Sequence, residues 1–509
     1  MLKTIKIFQL TLILCTSCIT LAQDSLSLFQ NFKNQYNIER GFKQKFYYNP
    51  ANMLDYSLSS FSQLNVSSFS QKDKVYRQQK GSGEKGFGVY TNSFQKLNNQ
   101  KVLWGSASYE NLKINHVKLN ENLDYDRVAP YITSDSVGGN IDIERYQFLG
   151  GYAQKIDQFS LGAEVGYKAQ LGSRSRDPRL ENTTSELKAK IGLGYNFYKD
   201  ISIDAFVEGE KYQQNSTIRF ASQLGQPAVY QMTGLGIYNN LFSSGGTSSF
   251  NSVNEEYSYK VGGKIANKGG KDFYLLVQYG KANMKRSFKG TTNRFYYSAD
   301  LNNDLLNMQA AKFFKLNNHK IGVQADYFSR KTEGLEYGYT NNKGLFQQIY
   351  KRLSYKRDEE NMTLSLFYSL DKENFRLSFV PYFSYQEIKE QRLFPYSGQK
   401  FEYNVFGAKV NYLQKLTNNQ TISFESFIDY KSVISAKNLL ASANASSIND
   451  WLIQDFNYLS SDITTIGANL RYDLKLDKLP TFFINGSFIQ SNIQSKYNNY
   501  SSVSLGITF

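Results

Sequence analysis

Apolar and polar residues alternate along most of this chain with a period of two, the spacing that sends successive side chains to opposite faces of a β-strand. The clearest run sets Phe159, Leu161, Ala163, Val165, Tyr167, Ala169 and Leu171 against Ser160, Gly162, Glu164, Gly166, Lys168, Gln170 and Gly172. The pattern repeats from Leu187 to Phe197, Ile201 to Val207, Ile321 to Tyr327 and Ile466 to Leu476. One face suits lipid and the other water. Tight turns recur at Leu97–Gln100, Ile156–Gln158, Lys199–Asp200, Asn267–Gly270, Leu316–His319, Leu370–Asn374, Leu416–Asn419 and Leu476–Pro480, each carrying Asn, Asp or Gly. Roughly forty to seventy residues separate successive turns, room for two strands and one longer loop. A sandwich or propeller would not keep every second connection tight. The spacing predicts an all-β fold: a transmembrane, antiparallel, up-and-down β-barrel of about eighteen strands between Tyr56 and Phe509, with sixteen if the segments near Asp142 or Phe295 are misread. Short turns would face the periplasm and long loops the outside.

The largest loops expected are Gln71–Glu84, Val117–Asn140, Ser173–Ser185, Ala221–Asn254 and Ala436–Asn457. Lys72, Lys74, Arg77, Lys80 and Lys85 beside the first, with Arg174, Arg176 and Arg179 in the third, suit contact with lipopolysaccharide phosphates. The loop Ala221–Asn254 has no strand pattern of its own, yet its Gly/Ser-rich frame carries Tyr230, Met232, Leu235, Ile237, Tyr238, Leu241 and Phe242. So much apolar surface needs a cover, either the barrel's own mouth or a partner, and the partner is the preferred reading. Trp451-Leu452-Ile453 presents the same two options.

At the start, Lys3 and Lys6, the apolar run from Ile7 to Leu14 and Thr20-Leu21-Ala22 read as a secretory signal peptide over residues 1–22. Cys15 and Cys18, the only cysteines, lie within it, so the processed chain would carry no thiol; a lipoprotein site at Cys18 is the weaker alternative. Residues 23–55 form a periplasmic or lumenal segment in which Phe29, Phe32 and Tyr36 recur at helical spacing, which suits a short helix or hatch. The stretch Tyr47-Tyr-Asn-Pro-Ala-Asn-Met53 resembles the Asn-Pro-Ala turn of fatty-acid-transporter-like barrels. At the other end Val503, Leu505, Ile507 and Phe509 alternate with Ser502, Ser504, Gly506 and Thr508. That strand resembles the terminal strand of Gram-negative outer-membrane barrels, which implies that Leu505, Ile507 and Phe509 are the signal read by the barrel assembly machinery. In layout the whole chain is similar to uncharacterised outer-membrane barrels of roughly 500 residues from gliding and gut-type bacteria. The resemblance implies a place in the cell outer membrane and work beside a TonB-dependent receptor, and carries no functional residues with it.

Composition fits this picture. The chain is polar, with a mean hydropathy of -0.49, yet holds 39 Tyr and 37 Phe, the residues of interfacial girdles. Removal of Lys3 and Lys6 takes the formal charge from +15 to +13, a balance directed at anionic lipid rather than at nucleic acid. The inward positions given by the alternation hold candidate lumen charges of both signs: Glu164, Lys168, Lys188, Lys190, Asp204, Glu208, Glu210, Arg471 and Asp473. Asp204, Glu208 and Glu210 have the oxygen ligands a divalent cation needs, but Lys188 and Lys190 on the preceding strand are placed to neutralise them. His116 and His319 stand in no Ser/His or Asp/His arrangement, and no phosphate loop or dinucleotide fingerprint occurs. No enzyme activity, metal or cofactor is expected. Two functions remain: an accessory barrel that docks a surface lipoprotein or TonB-dependent receptor through its loops, or a channel or transporter for a small solute.

Overall fold

The computed structural model describes residues 27–35, 38–198, 200–222, 227–241, 249–267, 271–289, 294–342, 345–441, 446–477 and 479–509. Among them eighteen strands form one closed antiparallel sheet in which each pairs with the next along the chain and the last with the first. The seam joins Phe61–Lys72 to Lys496–Thr508, setting Leu64 opposite Ile507 and Val66 opposite Leu505. Beyond it the Phe509 amide donates to the Ser62 carbonyl at 2.8 Å. The five tight turns that are described throughout, Leu97–Gln100, Ile156–Gln158, Leu316–His319, Leu370–Asn374 and Leu416–Asn419, fall at one end of this barrel, and the strand ends flanking the other three lie there too.

Outward positions carry Leu161, Val165, Leu187, Ile191, Val207, Leu275 and Leu505, all exposed, in a belt around the cylinder. Such a belt is tolerable only against hydrocarbon, so the strands span a membrane. Among the described residues no helix is long and apolar enough to cross one. The strands outrun the belt at the loop end. The expected loop Ser173–Ser185 is there only residues 174–178, because the strand Arg179–Tyr198 starts earlier. Its first turns of pleat carry Glu181 and Thr183 outside and Asn182 and Thr184 inside, so the sequence loses its apolar alternation where lipid gives way to water while the pairing continues.

The interior is occupied from both ends. Near the tight turns residues 28–35 and 38–55 form a plug of two short helices, Leu28–Gln35 and Ile38–Phe42, and two 3-10 turns, Phe46–Tyr48 and Pro50–Asp55. Asn49 begins the last of these, its side-chain oxygen accepting from the Ala51 amide at 2.9 Å with Pro50 at the first position. Phe29 and Phe32 pack on Leu413; Phe46 packs on Tyr274; Met53 packs with Phe94 and Trp104. Burying these four plug side chains contributes on the order of 10 kcal/mol before the entropy of ordering the segment is set against it. Gly162 and Gly192 let the plug lie directly on the wall, since a Cβ at either would collide with Pro50 or Asn49.

At the opposite end, three segments from distant loops form a lid. The strand Thr133–Asp135 pairs with Val229–Gly234, which pairs with Ile237–Tyr238, and the helix Ser446–Leu459 packs beneath this small sheet. Their shared core holds Val128, Tyr131, Ile132, Met232, Ile448, Trp451 and Leu452, closed by wall residues Tyr212, Met284 and Leu301. The loop Ala221–Asn254 therefore does have strand structure of its own. Gly236, at φ +81°, allows the hairpin to sit on Leu452.

Candidate functional site

The predicted lumen charges meet one another across neighbouring strands and the plug. Lys264 pairs with Asp204 at 2.6 Å, while Lys190 lies 2.9 Å from Glu164 and 3.7 Å from Glu208. Glu208 also accepts from the plug residue Tyr48 and pairs with Lys260 at 3.4 Å. Lys188 reaches Glu210 at 3.1 Å, Lys168 reaches Asp124 at 3.3 Å, and Arg471 donates to both oxygens of Asp473. Among the described residues no group of His, Cys, Asp or Glu is arranged to hold a metal ion. Buried charges of this kind need partners, because an unpaired ion in the interior costs several kcal/mol.

The lid is fastened by Arg127 and Arg286, which the sequence did not single out, and by Arg77 and Arg174, which were expected to meet lipopolysaccharide phosphates but are instead taken up by ion pairs inside the mouth. Arg127, on the short helix Tyr125–Val128, ion-pairs with Glu186 at 2.9 Å and with Glu210 and Glu256, and stacks on the Tyr212 ring at 4.0 Å. Arg174 is fully buried between Glu121 at 2.6 Å and Asp135 at 3.2 Å. Burial and the neighbouring Asp135 push the Glu121 carboxyl well above its ordinary range. Arg286, on the wall, donates to Thr133 and Gln231 of the small sheet at 2.6 and 2.9 Å. Arg77 holds Asp455 of the lid helix at 2.9 Å.

Of the predicted partner loop, Leu235 is buried, Tyr230 and Tyr238 are half-buried against the lid core and each other, and Leu241 is exposed. Phe242 lies outside the described residues. Trp451 and Leu452 point into the lid core, while Ile453 faces out. At the seam Leu505, Ile507 and Phe509 lie on the lipid side, with Leu505 and Phe509 exposed.

Over the plug, on one side of the barrel, is a cavity of about 1170 Å³. Its wall is rich in carboxamides and hydroxyls, among them Gln63, Asn65, Gln309, Gln324, Asn411, Asn469, Asn485, Thr363, Ser365, Ser423 and Ser487, and its floor is Arg40, Phe42, Gln44, Lys45, Tyr47 and Tyr56 of the plug. Lys45 is neutralised by Asp326 at 2.9 Å, and Arg40 stacks on Tyr56. Lys409 and Glu425 bring one further charge of each sign, both exposed to this space.

Around the inner wall runs a feature visible only once register is known. Six aromatic residues each sit directly opposite a glycine on the next strand: Trp104 and Gly151, Phe206 and Gly262, Phe313 and Gly322, Tyr382 and Gly407, Phe427 and Gly467, Phe483 and Gly506. In every pair the ring lies over the glycine, where a Cβ would strike it. The rings therefore lie back against the wall and leave the lumen wide.

The chain belongs to a family of unknown function (DUF6850), whose model matches residues 50–509. Comparison with curated proteins finds no match. Among solved structures it is similar to the ferric preacinetobactin receptor BauA of Acinetobacter baumannii, at 10% identity over 89% of this chain and 80% of that one, with a TM-score of 0.40. The ferric-catecholate import receptor Fiu of E. coli K12 gives 7% identity over 88% and 81%, with a TM-score of 0.40. The alcaligin outer membrane receptor FauA of Bordetella pertussis gives 7% over 89% and 76%, with a TM-score of 0.37. At such scores the likeness is one of large barrels, and no function travels with it.

Proposed function

We propose that this protein is an outer-membrane passage for a small polar solute, kept shut at rest by its plug and its lid. The observation that carries the reading is the polar cavity of about 1170 Å³ over the plug, in a barrel whose two ends are both covered by the protein's own chain. Both closures are held to the wall by ion pairs and apolar packing together, none of it the strand-to-strand hydrogen bonding that closes the sheet, so each is removable without breaking the barrel. In this reading residues 1–22 direct export, Phe509 and its strand serve the assembly machinery, the tight turns face the periplasm, and lipid and lipopolysaccharide surround the belt. No enzyme activity or cofactor is assigned.

Planar-bilayer recording tests it. The full chain should give little steady conductance, and deletion of residues 27–57 should raise it sharply while heat-modifiable gel migration is kept. Large ohmic channels in the full chain, or a folded deletion variant that stays silent, would refute the passage. A second reading, docking of a surface lipoprotein or TonB-dependent partner, is favoured by Leu241 and Ile453, which stay exposed at the loop end. Co-purification in mild detergent that is lost on Ile453→Ser would support it; a barrel isolated alone would end it.

A further inference from the structure

The six ring-over-glycine pairs are not equally covered. The plug and its neighbours take four of the rings: Trp104 packs with Met53, Phe206 meets Tyr48 at 5.2 Å, Phe313 meets Phe42 at 5.8 Å, and the Arg471 guanidinium lies 3.6 Å over Phe483. The two remaining rings, Tyr382 and Phe427, line the cavity. Among the described residues neither has a second ring stacked on it, and the nearest cation to Tyr382 is Lys409 at 5.9 Å. Both are only half-buried. The glycine beneath each ring holds it flat against the wall, so the free face looks inward.

We infer that this cavity binds a neutral oligosaccharide, with Tyr382 and Phe427 as stacking platforms and the carboxamides as its hydrogen-bonding rim. The inference rests on the passage reading only in treating the bound sugar as the solute. A pyranose ring offers weakly positive C–H groups on its face and hydroxyls on its edge. An aromatic face, negative by its quadrupole, takes the first. Carboxamides, which donate and accept on one planar group, match hydroxyls that do both.

Charge and spacing narrow the class. Lys409 and Glu425 carry opposite signs, Arg471 and Lys45 are taken by Asp473 and Asp326, and Arg40 is engaged by the Tyr56 ring and the Asn34 carbonyl, so the wall lacks the cluster of one sign that an ionic solute would need. Tyr382 and Phe427 stand two strands apart and two residues out of register, roughly 12 Å at the usual strand spacing and rise. One sugar unit cannot cover both, so the ligand is a chain of several units.

The test is binding of the full-length, detergent-purified protein to an array of neutral oligosaccharides of two to six units, followed by calorimetric titration with the tightest. Phe427→Ala and Tyr382→Ala should each weaken that binding at least tenfold, and Phe427→Tyr should restore it to within threefold. Phe406→Ala, on the lipid side, should leave it unchanged, and heat-modifiable migration verifies that every variant is folded. No binding anywhere on the array, or binding indifferent to both ring truncations, overturns the assignment. The outcome is separable from the passage reading: conductance on plug deletion without sugar binding removes the ligand and keeps the passage, and sugar binding without conductance does the reverse.

Discussion

Replacing Arg127 with Met should open the lid. The Arg127 side chain is 23% exposed and its guanidinium holds three glutamates whose side chains are 19%, 10% and 6% exposed. Met fills much of the same volume and keeps contact with Tyr212, so the loss is mainly electrostatic. Removing one partner of a buried ion pair costs about 3–5 kcal/mol. Lys188 remains near Glu210 at 3.1 Å and Glu186 at 3.5 Å, and water reaches part of the cluster, which argues for the lower end, about 3 kcal/mol. That is roughly a hundredfold in the closed-to-open ratio. A cysteine at Val128, fully buried in the lid core, reports opening through its rate of alkylation, read by peptide mapping. Labelling should accelerate by about two orders of magnitude in the Met variant while the barrel stays heat-modifiable. Adding Glu210→Gln and Glu256→Gln should recover most of the protection, because the stranded charges are then gone. An acceleration below threefold, or no recovery in the combined variant, would show that the apolar core alone holds the lid and that the ion cluster is incidental.

Three further outcomes are expected. Glu39 of the plug lies 2.6 Å from Lys43 and 2.7 Å from Lys320; burial alone would raise its pKa, but the two ammonium groups outweigh burial and hold it below the ordinary 4.5. Plug docking therefore gains from ionised Glu39 above that value and loses the gain as pH falls through the lowered pKa, so conductance should stay flat down to about pH 5, rise only in stronger acid, and lose this acid step in Glu39→Gln. Phe46→Ala removes a ring packed on Tyr274 and lying 3.4 Å from the Lys264 ammonium; it should weaken plug docking by about 3 kcal/mol and give intermittent channel openings, whereas unchanged silence would mean that the rest of the plug suffices. Phe509→Ser should lower the yield of heat-modifiable protein in the outer-membrane fraction several-fold without reducing export, and normal assembly would show that the final aromatic residue is dispensable.

Turn chemistry is local, so Asn317 and Asn318, or Asp371 through Asn374, announce their hairpins without any knowledge of the rest of the chain. The strands between were equally legible wherever lipid demands an apolar face. They faded where both faces are wet, as at Glu181 and Thr183, although the hydrogen bonding continues. The lid helix left a helical signature in Ile448, Trp451, Leu452 and Asp455, at the spacing of one helix face, yet within a long loop it read as an isolated apolar cluster. Arg127 and the ring-over-glycine pairs were out of reach for another reason. Tyr382 and Gly407 are distant in sequence and meaningful only in register, and Arg127 meets its glutamates through a fold of the loop that no periodicity encodes.

Each lid segment runs between two barrel strands: after Val117 and before Gly139, after Arg219 and before Ser249, after Leu439 and before Ile463. None is a flap with a free edge, so none can swing on a single hinge as a door does. Because the three share one apolar core, withdrawing any one exposes the other two, and clearing the mouth amounts to melting a small cooperative unit. Events of that kind fall between microseconds and seconds rather than on the timescale of side-chain motion. Traffic through this barrel would then be metered by how often its roof dissolves and re-forms, and a solute waiting inside would leave at a rate set by the protein's local stability rather than by diffusion.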